Sequence, residues 1–169
     1  FQEAVEALAD YYHSIEMGLQ IALRREATSG AIDLSRWHES DQSRGDLGLV
    51  VLGTDQGLCG RYNEVVVEYS REVIEQEFGG ERPRSILCVG LRPALQLEHL
   101  WHAVEVTFPV PGFPTGVTRV VQEIVFQIEK WQSFRGISRV ALIHNDLVRG
   151  VYYKPAMHRL LPLDREWFS

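Results

Sequence analysis

An unbroken apolar run from Leu47 to Leu52, closed by Gly53, constrains the fold of this chain more than any other feature. A run of this length without polar alternation is typical of a strand buried on both faces, as in a parallel sheet covered by helices on each side. Three further short strand patterns follow along the chain, at 85–89, 104–108 and 139–144. Helical patterns separate the strands, over 64–78, 93–101 and 117–131. This alternation predicts a three-layer α/β domain with a mostly parallel sheet flanked by helices.

The connections refine the prediction to a Rossmann-like topology. Asn63 stands just before the helix at 64–78 and is a residue type that caps helices. The turn-forming residues Asn145 and Asp146 are predicted to end the fourth strand. The segment 148–163 is predicted to be extended, and Pro155 restricts it to the edge of the sheet because proline cannot donate to a central ladder.

An apolar stripe runs along one side of a helix predicted for the first 25 residues. Its members lie alternately four and three residues apart: Phe1, Val5, Leu8, Tyr12, Ile15 and Leu19. This spacing is close to the period of about 3.5 residues that characterises a coiled-coil seam. An amphipathic helix lying on its own domain shows much the same pattern, so the period alone leaves both interpretations open.

Three parts are predicted along the chain. Residues 1–26 are expected to be part of a coiled-coil helix that protrudes, residues 27–45 a polar linker, and residues 46–169 the α/β domain. The stripe is already present at residue 1, as expected of a helix that starts upstream in a longer protein. Exposed apolar surface is unfavourable, so unless its own domain covers the stripe, the isolated chain is expected to self-associate through it or to fray over the first turns of the helix.

The charge balance and the hydropathy exclude several classes of partner. The chain has 17 Lys and Arg against 23 Asp and Glu, a net charge of −6, so no nucleic-acid partner is expected. No apolar run approaches the roughly 20 residues of a membrane helix, so no direct membrane insertion is expected. Cys59 and Cys88 form neither a CxxC pair nor a metal-ligand spacing, which is typical of free thiols in a reducing compartment.

The segment Thr54–Gly60 follows the first strand, at the place where an open α/β sheet puts its ligands. Its glycines are compatible with a phosphate-binding loop, and Cys59 is compatible with a nucleophile at a helix N-terminus. Phosphate loops, however, continue with Lys and a hydroxyl residue, where this chain has Arg61 and Tyr62. We therefore interpret the glycines as turn residues and Cys59 as structural, with a small flavodoxin-like nucleotide- or phosphate-binding enzyme that uses this loop as the alternative.

No catalytic, cofactor-binding or metal-binding residue is predicted elsewhere. Glu64, Glu68 and Glu72 share one side of a helix, which is typical of a solvated face. His99 and His102 are three residues apart but lack the H-E-x-x-H order of a zinc protease.

The stretch from Gly48 to Asn63 resembles the gamma subunit of F-type ATP synthases. In that family an apolar strand precedes Ser/Thr-Asp-x-Gly-Leu-Cys-Gly, two variable residues and Asn. The matching positions are Thr54, Asp55, Gln56, Gly57, Leu58, Cys59, Gly60 and Asn63. The segments 142–145 and 160–163 are similar to the end of the same family's central domain, and the first 25 residues are similar to the inner part of its N-terminal helix. Arg61 and Tyr62 are bulkier than the family's usual pair.

This resemblance implies a non-catalytic rotor subunit of a central stalk. Such a subunit couples ion flow through a membrane ring to ATP synthesis or hydrolysis in an alpha–beta hexamer. The implied partners are the alpha, beta and epsilon subunits and the ring of c subunits, at the cytoplasmic face of a bacterial membrane. The family has no ATP site in this subunit, in agreement with the missing phosphate-loop lysine.

Overall fold

A computed structural model describes residues 2–30, 45–57, 60–113, 115–149 and 152–162. Within the first helix, the side chains of residues 2–9, 11, 26 and 27 fall outside this description. The helices are α1 (Gln2–Ser29), α2 (Tyr62–Glu77), α3 (Leu91–Trp101) and α4 (Thr115–Lys130), and α4 continues into a π-helical turn, Trp131–Arg135. The strands are β1 (Asp46–Leu52), β2 (Ser85–Val89), β3 (Val104–Phe108), β4 (Ile137–Arg149) and β5 (Tyr152–Leu161).

The five described strands form one sheet in the order β3-β2-β1-β4-β5. The first three pairings across the sheet, β3 with β2, β2 with β1 and β1 with β4, are parallel. Only the edge strand β5 runs antiparallel to its neighbour β4. The chain therefore winds outward from β1 in both directions, which confirms the predicted α/β class with a mostly parallel sheet.

Two hydrophobic cores lie on opposite faces of the sheet. The first holds apolar side chains of α1 and α4 against one face of β1, where Val50 and Leu52 are fully buried. The second holds side chains of α2 and α3 against the other face, where Leu49 and Val51 are fully buried. Six of the seven residues of β1 are buried, so the run that has no polar alternation belongs to a central strand covered on both sides.

Gly48 in β1 makes room for Trp131, the largest fully buried side chain among the residues that the structure describes. A Cβ at Gly48 would lie 2.8 Å from Trp131 Cζ3, closer than two carbon atoms can pack. The indole of Trp131 thus lies directly on the central strand at the end of α4, and its Nε1 donates to Glu105 Oε2 over 3.2 Å.

Helix α1 packs on the α/β domain through the apolar side chains of one face. Tyr12, Ile15, Leu19 and Leu23 are all 0% exposed and belong to the same core as α4 and one face of the sheet. Gly18 lets the two helices approach closely, since a Cβ there would lie 3.1 Å from Val121 Cγ2. From Tyr12 to Leu23 the helix therefore does not protrude, and the interpretation as an amphipathic helix on its own domain is the correct one for this stretch. This part of the stripe is not available to a second copy of the chain.

The other predictions for the N-terminal part concern residues that the structure describes only in part. Phe1 lies outside the described residues, and so do the side chains of Val5 and Leu8. Helix α1 ends at Ser29, so its last three residues fall in the segment predicted to be a linker. Most of the remaining linker lies outside the described residues.

Two local predictions are wrong. Strand β4 does not end at Asn145 and Asp146 but continues to Arg149, because the antiparallel strand β5 supplies a ladder for these residues. Asn63 does not cap α2, which starts one residue earlier, because its side-chain amide is hydrogen-bonded to Thr54 instead. Pro155 does lie on an edge strand, as predicted. No described helix is long and apolar enough to cross a membrane.

Candidate functional site at the carboxyl ends of the parallel strands

The chain winds in opposite directions from β1, toward β2 on one side and β4 on the other. In open α/β sheets the crevice at this point, outside the carboxyl ends of the strands, is where ligands bind. Gly53, Thr54 and Asp55 follow β1 at this position, and His144 and Asn145 lie at the same level of β4, just after the paired residues Val51 and Ile143. In an enzyme of this fold, the ligand site would lie in this crevice.

Aromatic side chains of the protein itself lie at this crevice. The Tyr12 hydroxyl of α1 donates to the backbone carbonyl of Gly53, directly after β1. The ring of Tyr62 lies 6.4 Å from that of Tyr12 and 4.9 Å from that of Tyr153, centroid to centroid. Asn145 Nδ2 donates to the carbonyl of Tyr62 over 3.0 Å. Helix α1 and the start of α2 are thus tied to the place where a doubly wound enzyme would hold a nucleotide.

Thr54 and Asn63 form a closed pair between the end of β1 and the first turn of α2. The Thr54 backbone N–H donates to Asn63 Oδ1, and Asn63 Nδ2 donates to Thr54 Oγ1, both over 2.8 Å. Thr54 Oγ1 in turn donates to the carbonyl of Gln56 over 2.8 Å. Gly53 is required beside this pair, because a Cβ there would lie 2.4 Å from Pro93 Cγ and 2.8 Å from Asn63 Oδ1. The motif positions 54 and 63 therefore shape a turn rather than a ligand pocket.

Asp55 joins three loops at the carboxyl end of the sheet. Its Oδ1 accepts from the Leu91 N–H at the start of α3 over 2.9 Å, and its Oδ2 accepts from the Val110 N–H after β3 over 2.8 Å. A carboxylate that accepts from a helix N-terminus is favourable both as a hydrogen bond and through the helix dipole. The aspartate of the motif thus fixes the loops after β1, β2 and β3 relative to one another.

This arrangement is unsuited to phosphate. The backbone amides of Thr54, Leu91 and Val110 donate to side chains of the protein itself. The Asp55 carboxylate adds negative charge where an anion would have to sit. The alternative of a nucleotide- or phosphate-binding enzyme is not supported. Gln56 and Gly57 are exposed, Gly60 adopts φ +56°, and Leu58 and Cys59 lie outside the described residues, so the structural role of Cys59 stays a prediction.

Replacing Asp55 by alanine is expected to lower the free energy of unfolding by about 2 kcal/mol, because two backbone donors lose a charged acceptor. Asp55→Asn keeps one oxygen acceptor and is expected to lose about half as much. Gln56→Ala, next to it on the exposed loop, is the matched control and should change little. Urea unfolding followed by circular dichroism gives these values, and equal stability of all three variants would show that Asp55 does not hold the loops together.

The remaining polar clusters that the sequence singled out are surface features. Arg61 Nε lies 3.0 Å from Glu64 Oε2 and its Nη2 lies 3.0 Å from Glu68 Oε1, and these acids raise the pKa of the arginine. His102 Nδ1 lies 3.9 Å from Glu98 Oε1, with both side chains exposed. The acids lie on a solvated face of α2, as expected, and His99 on α3 is exposed, but His102 follows the end of α3, in the left-handed conformation at φ 49°, and is not a helix residue. Cys88 is a buried free thiol whose pKa is raised by its burial, so it is not a nucleophile.

Sequence reasoning missed a second cluster, on the α1 side of the sheet. Glu16 of α1, His144 of β4 and His158 of β5 bring ligand-type atoms within 4.8 Å of one another. His144 is 0% exposed, and its burial lowers the pKa of its imidazole, which is therefore neutral at pH 7. The three residues fall in separate predicted elements: Glu16 in the first helix, His144 as the last residue of the fourth strand and His158 in the extended segment. Neither the spacing in the chain nor the local pattern connects them, because the fold alone brings α1 onto the β4–β5 hairpin.

Comparison with known proteins agrees with the resemblance of the motif. The family model described as "ATP synthase" matches residues 1–168. The ATP synthase gamma chain of Ehrlichia canis is 21% identical over 118 residues, covering 70% of this chain and 41% of its own length. The ATP synthase gamma chain of a Cyanothece strain is 24% identical over 162 residues, covering 95% of this chain and 49% of its own length. The chain thus spans less than half the length of these two relatives.

Solved structures share the fold. A chain in the central stalk and c-ring structure of the Tetrahymena thermophila mitochondrial ATP synthase superposes with a TM-score of 0.54 at 19% identity, covering 99% of this chain and 74% of its own. A chain in the rotor of the Euglena gracilis mitochondrial ATP synthase gives 0.52 at 16% identity, covering 98% and 62%. A family match over nearly all residues, two gamma-chain relatives and a shared fold lead to one conclusion. The chain belongs to the ATP synthase family, and the resemblance to its gamma subunits is confirmed.

Proposed function

We propose that this chain is part of the central stalk of a rotary ATP synthase and acts as a non-catalytic rotor element. Its role is to couple ion flow through a membrane ring to ATP synthesis or hydrolysis in an alpha–beta hexamer. Its partners in this proposal are the alpha, beta and epsilon subunits and the ring, at the cytoplasmic face of a bacterial membrane. The gamma-chain relatives support the assignment.

The packing of α1 on the α/β body is the observation that carries the proposal. Tyr12, Ile15, Leu19 and Leu23 of α1 are 0% exposed in the same hydrophobic core as α4 and one face of the sheet. Protein cores are close-packed and of low compressibility, so a torque on the α/β body passes to the helix without slippage between them. A rotor needs this rigid connection between a helical shaft and a globular body.

The crevice supports the same proposal from the chemical side. The motif of the family fixes loops through Thr54, Asp55 and Asn63, whose polar groups are hydrogen-bonded within the protein itself. The Tyr12 hydroxyl at the Gly53 carbonyl connects the helix to the same loop region. In this view the motif is a stiffening element at the junction of shaft and body.

Purification of the full-length protein from its own cells tests the proposal. A tagged copy, extracted from membranes in mild detergent, is expected to migrate on a native gel together with alpha, beta and epsilon subunits and the ring, identified by mass spectrometry. An unrelated tagged protein of the same cells is the control. Recovery of the chain without alpha and beta subunits would contradict the assignment.

A further inference from the structure

We propose that Glu16, His144 and His158 form a binding site for one divalent transition-metal ion, of which Zn²⁺ is the best match, between α1 and the β4–β5 hairpin. The proposal goes beyond the rotor function and does not depend on it. The site is structural: it joins the helix to the edge of the sheet.

The donor atoms of the three side chains and the distances between them suit zinc. Glu16 Oε1 lies 3.3 Å from His158 Nδ1, and Glu16 Oε2 lies 3.9 Å from His144 Nε2. Zinc bonds to imidazole nitrogen and carboxylate oxygen are about 2.0–2.1 Å, which places neighbouring ligands of a tetrahedral ion roughly 3.3 Å apart. The Glu16–His158 edge already has this length, and the Glu16–His144 edge is within a small side-chain adjustment of it. Two imidazoles and one carboxylate are a ligand set that suits zinc.

His144 is 0% exposed, and neither of its ring nitrogens makes a hydrogen bond, although Nδ1 lies 3.3 Å from Asp146 Oδ1. His158 Nε2 is likewise buried without one. Buried polar atoms without partners are costly and rare in folded proteins, and a bound ion is one of the few ways to satisfy them. An ion bound at His144 Nε2 accepts the lone pair of this nitrogen and so satisfies it.

The surroundings of His144 fit a metal ligand. Asp146 Oδ1 lies 3.3 Å from His144 Nδ1, on the side of the ring opposite Nε2 and Glu16. Metal-bound histidines usually present their other ring nitrogen to a carboxylate, which orients the ring and increases its basicity. Asp146 is in position to do this for His144.

The orientation of the two imidazole rings and the exposure of the side chains determine which ring must turn to bind an ion. The two imidazole rings are stacked, with centroids 5.1 Å apart and planes at 14°, so one ring has to turn for both to point a nitrogen at the same ion. His158 lies on the edge strand and its side chain is 32% exposed, which leaves room for that rotation. Glu16 is 13% exposed, so solvent reaches the cluster from this side and a water molecule can fill the fourth position of the ion.

Metal titration of the 169-residue chain, prepared without a histidine tag and treated with a chelator, tests the site. Calorimetry is expected to show one Zn²⁺ per chain, and Co²⁺ to give visible absorption bands of a low-coordinate site. Glu16→Gln and His158→Ala are each expected to weaken Zn²⁺ binding at least about tenfold. His102→Ala is the matched control, because His102 also lies 3.9 Å from a glutamate but on the exposed surface, and it should leave the affinity unchanged.

A measurement on the unchanged chain covers the case in which a variant fails to fold. In the NMR spectrum of the histidine rings, Zn²⁺ is expected to shift the signals of His144 and His158 and leave those of His99 and His102 in place. The melting temperature should rise with Zn²⁺ in the unchanged chain and in His102→Ala. The proposal would be overturned if one equivalent of Zn²⁺ did not bind to the chain, or if Zn²⁺ shifted the NMR signals of the exposed histidines instead of those of His144 and His158.

Discussion

Replacing Tyr12 by alanine is expected to lower the free energy of unfolding by about 3–5 kcal/mol, the range measured when large aromatic side chains are deleted from cores. The ring is 0% exposed between α1 and the sheet, and its hydroxyl donates to the Gly53 carbonyl. The deletion leaves a cavity where the helix joins the body, together with a backbone carbonyl without its donor. Urea unfolding at equilibrium measures the loss.

Two further variants separate the contributions of Tyr12. Tyr12→Phe keeps the ring and removes only the donor to Gly53, so a loss of about 0.5–1.5 kcal/mol is expected. Met17→Ala on the exposed side of the same helix should change the stability by no more than about 0.5 kcal/mol. If Tyr12→Ala were as stable as Met17→Ala, α1 would not be packed on the domain.

Trp131→Ala is expected to cost about 3–5 kcal/mol as well. The indole lies on the central strand beside Gly48, and its Nε1 donates to Glu105 Oε2 over 3.2 Å. Removing it opens the core between the end of α4 and β1 and leaves the carboxylate of Glu105 with Arg135 Nη2 and Gln127 Nε2 as neighbours, each at 3.3 Å. The change in unfolding free energy is again the quantity to measure.

Phe134 provides the control for this substitution. It lies three residues on, in the same π-helical turn, and is 84% exposed. Phe134→Ala is expected to change the stability by no more than about 0.5 kcal/mol. Comparable losses for both variants would mean that the turn is held by something other than the burial of Trp131.

The central strands could be predicted from the sequence because their burial is two-sided. The run at 85–89 coincides with β2 and the run at 47–52 lies within β1, and both strands are central in the sheet; the pattern at 104–108 coincides with β3, an edge strand whose residues are only partly buried. An apolar run that is bounded by glycine carries its own signal, and no distant residue is needed to recognise it. The helix α4 was recognisable for a similar reason, since Val121, Ile124 and Ile128 lie on one buried face.

The errors arose where a distant segment decides the local structure. Asn145 and Asp146 favour a turn by themselves, but pairing with Pro155 and Lys154 of β5 keeps them in the strand. Asn63 is a residue type that caps helices, but both its amide oxygen and its amide nitrogen are hydrogen-bonded to Thr54, just after β1. Propensity gives way to tertiary contacts in both cases.

The junction between α1 and the body shows the same limit. A heptad-like stripe predicts that something apolar covers it but does not say what, and here the covering surface for Tyr12, Ile15 and Leu19 is the chain's own domain. Glu16 is a surface position by pattern, and only the packing of α1 on the sheet brings its carboxylate to His158. The motif 54–63 was recognisable as a unit, whereas the contacts of Asp55 with the loops after β2 and β3 required the fold.

Titration of the chain with ATP in a calorimeter tests most directly the central claim, that the crevice at the carboxyl ends of the strands serves the fold and not a nucleotide. The side chains of Asp55 and Asn63 already occupy the amides of Leu91, Val110 and Thr54, so the account predicts a dissociation constant no tighter than about 1 mM, equivalent to about −4 kcal/mol. A dissociation constant near 1 μM, about −8 kcal/mol, would contradict it.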